Sequence, residues 1–192
     1  IEKLVSPLAQ AVWDVGREFG TIACQIGEDT FEITTYRSDL YDGASRKPLV
    51  AFGSSLEEDL KRRDFTMNAM ALTLPGLQLV DPFGGLEDLL AHTLRTPISP
   101  EVSFGDDPLR MMRAARFSSQ LGAEIDQVTA TAMAEMAPRI GDISAERVRD
   151  ELVKILSSNS PRAGLELLVE SGIAEFVLPE FPALCLEADE HA

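Results

Sequence analysis

The sequence predicts an α+β protein in which a mixed part of helices and strands is followed by an all-helical part, and three observations carry that reading. Two short β-rich runs, "TIACQI" at 21–26 and "FEITTYR" at 31–37, are separated by Gly27-Glu28-Asp29, a hairpin signature. From Pro100 onward helical spacing recurs in the stretches 106–121, 126–137, 144–156 and 161–171. The texture changes near residues 95–105, and no internal repeat or low-complexity segment blurs that boundary.

Taken in order, "EKLVSPLAQAVWDVGREFG" has Leu4, Val5, Leu8, Val12, Val15 and Phe19 at three- and four-residue steps, which predicts a helix over 3–19 ended by Gly20, with Trp13 in its core. Strands are expected near 21–26 and 31–36. "SDLYDGASRKPLVAFGSS" concentrates Ser, Asp, Gly and Pro without a sustained period and reads as a loop with room to move. "LEEDLKRRDFTMNAMAL" is a charged helical start running into an apolar stretch. Pro75-Gly76, the short strand "LQLVDP" and "FGGLEDLLAH" follow. Ser144, with Arg147 and Val148 behind it, marks a capped helix start.

Composition narrows the function classes. With 192 residues, 45% hydrophobic and 26% charged, the chain has the make-up of a folded soluble protein with room for a core. It contains no run of about 18 apolar residues, so no membrane span is expected. "IEKLVSPLAQAV" carries acid and lacks a basic start, unlike a secretory signal. It also lacks an initiating Met, so residues ahead of Ile1 are expected. Cys24 and Cys185 lie far apart with no CxxC or His partner, which argues against zinc and for two buried thiols in a reducing, cytoplasmic compartment. His92 and His191 have no partners at ligand spacing. A net charge of -15 counts against a general nucleic-acid coat, because such binding is dominated by neutralising phosphates. Any polyanion site must be a local concentration of arginine set against the overall field.

Such a concentration occurs in "DDPLRMMRAARF", where Asp106 and Asp107 precede Arg110, Arg113 and Arg116. Residues three apart on a helix share a face, so Asp107 and Arg110 can set a carboxylate acceptor beside a guanidinium donor. Cytosine and adenine both present an amino donor beside an unprotonated ring nitrogen, whereas uracil and guanine present a carbonyl beside an N–H. An acceptor–donor pair complements the first two and rejects the others. Arg113 and Arg116 drift about 60° per step around the helix and could face a triphosphate. From this stretch alone a solvated helix with ordinary ion pairs is the favoured reading. In "KRRDFTMNAMAL", Arg62 and Arg63 stand before Asp64 and an apolar segment holding Asn68, which must be satisfied or exposed. Either an arginine held by Asp64 points at phosphates, or this is a helix start with solvated charges. "DPFGGLEDL" offers a hinge or only a loop. Glu32, on a strand, either faces solvent or serves a metal.

Together, "RRDFTMNAMA" (62–71), "DPFGGLEDL" (81–89), "DDPLRMMRAARFSSQLG" (106–122) and "ERVRDELVKIL" (146–156) resemble, in order and spacing, the motifs of class II tRNA nucleotidyltransferases, the CCA-adding enzymes, and of bacterial poly(A) polymerases. The match runs from about residue 20 to 182. It implies a polymerase-β-like nucleotidyltransferase head, incomplete at its N-terminus, over 1–98, a helical neck over 99–157 and the start of a tRNA-holding helical body over 158–192. It implies Arg63 on the triphosphate, Asn68 in the nucleotide pocket, and Asp107 and Arg110 as the amino-acid template for the incoming base. Arg113 and Arg116 would be neighbours on the nucleotide, with Arg62, Asp64 and Asp106 in support. Glu32 would be the third carboxylate near a pair of Mg2+ ions. CTP and ATP would be the substrates and tRNA the partner.

Two departures qualify the resemblance. Asp106 stands where the family's motif usually begins with Glu. The GG…RD loop and Asp-x-Asp pair are expected ahead of Ile1, so residues 1–192 should not catalyse nucleotide addition alone. The rival readings are a poly(A) polymerase using ATP and a non-catalytic helical module binding RNA or protein.

Overall fold

The computed structural model describes residues 1–17, 20–40 and 49–181, which fall into two compact units, Ile1–Arg62 and Arg63–Ala192. In the first, α1 (Glu2–Val5) is followed by β1 (Ala11–Gly16), β2 (Thr21–Ile26) and β3 (Asp29–Thr34), an antiparallel sheet in the order β1-β2-β3. The helix expected over 3–19 is therefore a single turn and a strand. Pro7 has no N–H to donate to the helical ladder, and "AVWDVG" beyond it, with two valines and a tryptophan, suits a β-ladder equally well. The three- and four-residue steps do not mark a buried face: Leu4 and Leu8 are exposed, while Val5 is buried.

β1 pairs with β2 from Ala11↔Gln25 to Trp13↔Ala23, with a register shift before Gly16↔Thr21. Val12 packs on the small core of Val5, Ile22 and Cys24. Trp13, expected in a core, is 42% exposed on β1. Cys24 is a free, buried thiol, as expected, while Cys185 and His191 lie outside the described residues. The hairpin forms as read, with Ile26 paired to Asp29 around Gly27-Glu28.

The stretch 38–55, read as a loop, contributes to β4 (Arg37–Leu40) and β5 (Leu49–Phe52), which pair antiparallel. "LVAF" has strand propensity that the surrounding Ser, Gly and Pro masked. Helix α2 (Leu56–Lys61) begins at Ser55, whose hydroxyl accepts the Glu58 N–H at 3.3 Å.

The second unit opens with a 3-10 turn at Thr66–Asn68 and the short antiparallel pair β6 (Ala71–Leu72) and β7 (Leu79–Val80). Then come α3 (Gly85–Leu90), β8 (Thr93–Leu94), α4 (Pro100–Asp106) and α5 (Leu109–Leu121). After β9 (Glu124–Ile125), parallel to β8, come α6 (Gln127–Met136), a 3-10 turn at Ala137–Asp142, α7 (Ala145–Leu156), α8 (Pro161–Glu170) and α9 (Ala174–Val177).

One core serves this unit: Phe65, Leu94, Phe104, Met111, Met112, Met133, Ile155, Leu168 and Ile173 are all essentially inaccessible. α5 runs through it and packs on both α7 and α8. Gly164 lets α8 meet α5 closely, since a Cβ there would lie 2.5 Å from the Ala115 carbonyl oxygen, and its N–H donates to Ser119 Oγ at 2.9 Å.

The single helix read over 106–121 is two helices. Asp107 between them is extended, at φ -144° and ψ 98°, and Pro108 caps α5. Proline disfavours helical conformation in the residue before it, which places the break at Asp107. α5 ends at Gly122, whose φ of 63° suits a residue without Cβ. Ser144 occupies the position ahead of α7, but its hydroxyl makes no cap bond to the helix backbone.

Candidate functional site

Asp64 organises the "RRD" segment. Its side chain is 5% exposed, and Oδ1 accepts from the Phe65 N–H at 2.9 Å and from Asn68 Nδ2 at 3.1 Å. The amide of Asn68, which had to be satisfied or exposed, is thus satisfied within its own turn. Oδ2 lies 2.7 Å from Arg113 Nη2, so the guanidinium held by Asp64 comes from α5 and not from its own segment. Arg63 is exposed and its Nη1 donates to the Asn68 carbonyl at 3.0 Å. Arg62, ending α2 in the first unit, pairs with the buried Asp59 at 2.9 Å.

The three arginines of α5 have distinct surroundings. Arg116 is 12% exposed and pairs at 3.1 Å with Glu151 of α7, itself 7% exposed, which also holds Lys154 at 2.9 Å. Burial pulls the Arg116 pKa below its ordinary value; Glu151 opposes that shift and Arg113 adds to it. Phe117 lies beneath both guanidiniums, at 4.3 Å from Arg116 and 5.9 Å from Arg113, and meets Phe65 edge-on at 5.8 Å. Arg113 and Arg116 therefore share one aromatic platform and have separate acids.

At the other end of α5, the Arg110 N–H donates to the Asp107 carbonyl at 3.0 Å, which sets the two residues one turn apart. Asp107 Oδ1 accepts the Leu109 N–H at 3.2 Å, and Oδ2 pairs with Arg147 of α7 at 3.0 Å. Arg110 Nη1 donates to Ser103 Oγ at 2.8 Å and to the Ser103 carbonyl at 3.2 Å. Asp107 is thus beside Arg110 as read, but ahead of the helix and not on it. Asp106 is the last residue of α4 and half-buried.

Glu32 lies exposed on β3 of the first unit, opposite Ala23. Among the described residues no three His, Cys, Asp or Glu side chains converge as a metal site would require, so Glu32 is one isolated candidate ligand.

Sequence reading missed a second buried network. Asp88 of α3 accepts from Thr66 Oγ1 at 2.5 Å and from Arg95 Nε and Nη2, both at 3.0 Å. This forked hydrogen bond raises the Arg95 pKa. The Gly84-Gly85 step, read as a hinge or loop, is a fitted joint. A Cβ on Gly85 would collide with the Thr66 carbonyl, whose carbon is 2.7 Å away, and the Asp81 carboxylate caps α3 by accepting the N–H groups of Gly85 and Leu86 at 2.7 and 2.9 Å. An acid four residues ahead of a helix-opening glycine was the available signal for that cap.

Two family models match the chain. Residues 1–95 match the model described as the poly A polymerase head domain, and 122–184 match the probable RNA and SrmB-binding site of polymerase A. The chain belongs to the family of tRNA nucleotidyltransferases and poly(A) polymerases. Among its relatives in the family, it is 45% identical to the CCA-adding enzyme of Streptococcus gordonii over 165 residues, 85% of this chain and 41% of that one. With the CCA-adding enzyme of Bacillus subtilis it shares 42% identity over 92% of this chain and 44% of the other. The crystal structure of the Bacillus stearothermophilus CCA-adding enzyme in complex with CTP superposes with a TM-score of 0.78 at 40% identity, over 88% of this chain and 40% of that chain. That of the Thermotoga maritima enzyme complexed with tRNA gives 0.75 at 27% identity, over 93% and 40%. The chain spans less than half the length of the curated relatives it matches. None of its described helices is long and apolar enough to cross a membrane.

Proposed function

We propose that this protein adds C and A, from CTP and ATP, to the 3′ end of tRNA without a nucleic-acid template. The observation that carries the proposal is the placement of Asp107 and Arg110 one turn apart, each tied to a neighbouring helix. The carboxylate accepts from the exocyclic amine of cytosine or adenine, and the guanidinium donates to the adjacent ring nitrogen. Uracil and guanine would set a carbonyl against the carboxylate and an N–H against the guanidinium, a double repulsion. The names of the relatives, CCA-adding enzymes with CTP and with tRNA, favour the same reading.

Arg63, Asn68 and Arg113 form the rest of the proposed nucleotide pocket, with Asp64 and Asp106 in support. Arg116 belongs to it as the residue behind Arg113, since its own guanidinium faces Glu151. The same reading divides the chain into head (1–98), neck (99–157) and start of body (158–192), which the match of 1–95 to a head-domain model supports. Magnesium enters through the family, with Glu32 as a candidate ligand. The described residues do not themselves make a metal site. A cytoplasmic location belongs to the same proposal.

The description of the head-domain model favours one second reading, a poly(A) polymerase using ATP alone. Incorporation by the full-length protein into tRNA lacking its 3′ end separates the two: two C and one A support the proposal, and an A tract formed without CTP supports the rival. Arg110→Ala and Asp107→Ala should each lower C and A incorporation and admit U and G. Unchanged nucleotide preference in both would remove the template role.

A further inference from the structure

We propose that Ser103 is a positioning residue for nucleotide selection, a role that rests on reading Asp107 and Arg110 as the base-selecting pair. Nothing in "EVSFGDD" marks this serine in the sequence. In the structure it lies on α4, one turn before the Asp107 break, with no exposed surface. Its carbonyl oxygen accepts the Asp107 N–H at 3.3 Å and Arg110 Nη1 at 3.2 Å, and its hydroxyl oxygen accepts from that same Nη1 at 2.8 Å. A single buried residue therefore touches both the backbone under the acceptor and the head of the donor.

This arrangement matters because an arginine side chain has many rotamers, and a selecting group must be held within roughly 0.5 Å of its productive place. Two acceptors from one residue on one terminal nitrogen fix both the position of the planar guanidinium and its tilt. That determines the direction in which its remaining N–H groups point. The shared carbonyl ties this direction to the Asp107 backbone, so the spacing of acceptor and donor is set by Ser103 and not by the Arg110 side chain alone. Being buried, Ser103 cannot touch a nucleotide, and it acts only through Arg110.

The test compares Ser103→Ala, Arg110→Ala, Asp107→Ala and the Ser103→Ala/Arg110→Ala double variant in the full-length protein. The readouts are kcat/KM for CTP, UTP, ATP and GTP on tRNA lacking its 3′ end, and the unfolding temperature. Ser103→Ala should lower selection of CTP over UTP about tenfold, the loss expected for one charge-assisted hydrogen bond. It should have no further effect on selection once Arg110 is already Ala. Equal losses for all four nucleotides, or selection effects that add in the double variant, would reduce Ser103 to a packing role and overturn the inference. Intact selection in Ser103→Ala alongside lost selection in Asp107→Ala overturns the inference and leaves the base-reading pair standing. Intact selection in both Arg110→Ala and Asp107→Ala overturns both. Should Ser103→Ala not fold, Ser103→Cys, of similar size and with a weakly accepting sulfur, is judged by the same outcomes.

Discussion

Asp64 and Arg113 face each other at 2.7 Å across the interior of the second unit, joining the segment after α2 to the middle of α5. The carboxylate also receives the Phe65 N–H and the Asn68 amide through Oδ1, so one acid meets groups from two parts of the chain. Its burial makes the arrangement costly to disturb from the acid side, while Arg113, 36% exposed, can fall back on water.

Asp64→Asn should therefore destabilise the fold by about 2–3 kcal/mol, less than for a fully enclosed pair because of that exposure. The midpoint of denaturant unfolding should fall with an unchanged slope.

Gly85→Ala should cost at least about 2 kcal/mol, because the new methyl meets backbone and not the end of a movable side chain. Gly141→Ala has open space around its Cβ and serves as the control. A comparison of unfolding temperatures decides it. Similar values for the two variants would refute the close approach of α3 to the Thr66 backbone.

Glu151→Gln keeps the shape of the side chain but leaves Arg116, 12% exposed, without its counter-charge. A loss of about 3 kcal/mol is expected, since removing one partner of a buried pair is worse than never having had the pair. Restoration of the unfolding midpoint by adding Arg116→Met would show that the stranded charge was responsible.

Acidification should weaken α7. The Glu146 carboxyl is held below its ordinary pKa of 4.5 by the backbone N–H at the helix start and then by Ser144. A depressed folded-state pKa means that this contribution is present above the ordinary carboxylate range and is lost as pH falls below it. In Glu146→Gln the slope of stability against pH should flatten below pH 4.5, as read by urea unfolding across that range.

Much of the fold was legible locally. The hairpin at Gly27-Glu28 and the helices of the second half follow from turn chemistry and short-range spacing, and their bounds fall within a few residues of the reading. The first helix misled because Leu4, Val5, Leu8 and Val12 are spaced as on an amphipathic helix, and only the pairing of β1 with β2 decides for a strand. At the site, residue types were legible and partners were not. That Asp64 would hold Arg113, that Glu151 would hold Arg116 and that Ser103 would hold Arg110 depend on where helices cross, and local spacing carries no record of that. The Asp107 break had a visible cause in Pro108, whose effect on its neighbour outweighed the apparent continuity of the helix.

The shared platform of Phe117 has an electrical consequence. Both cations stacked on it are matched by an anion of their own, Asp64 and Glu151, so that part of α5 contributes almost nothing to the far field of a molecule with a formal charge of -15. On the nucleotide-binding reading proposed above, the charge of residues 1–192 repels a triphosphate at long range and the pocket holds it only on arrival. Ionic strength should then speed the encounter by screening the repulsion, the reverse of what a strongly basic, phosphate-attracting surface does.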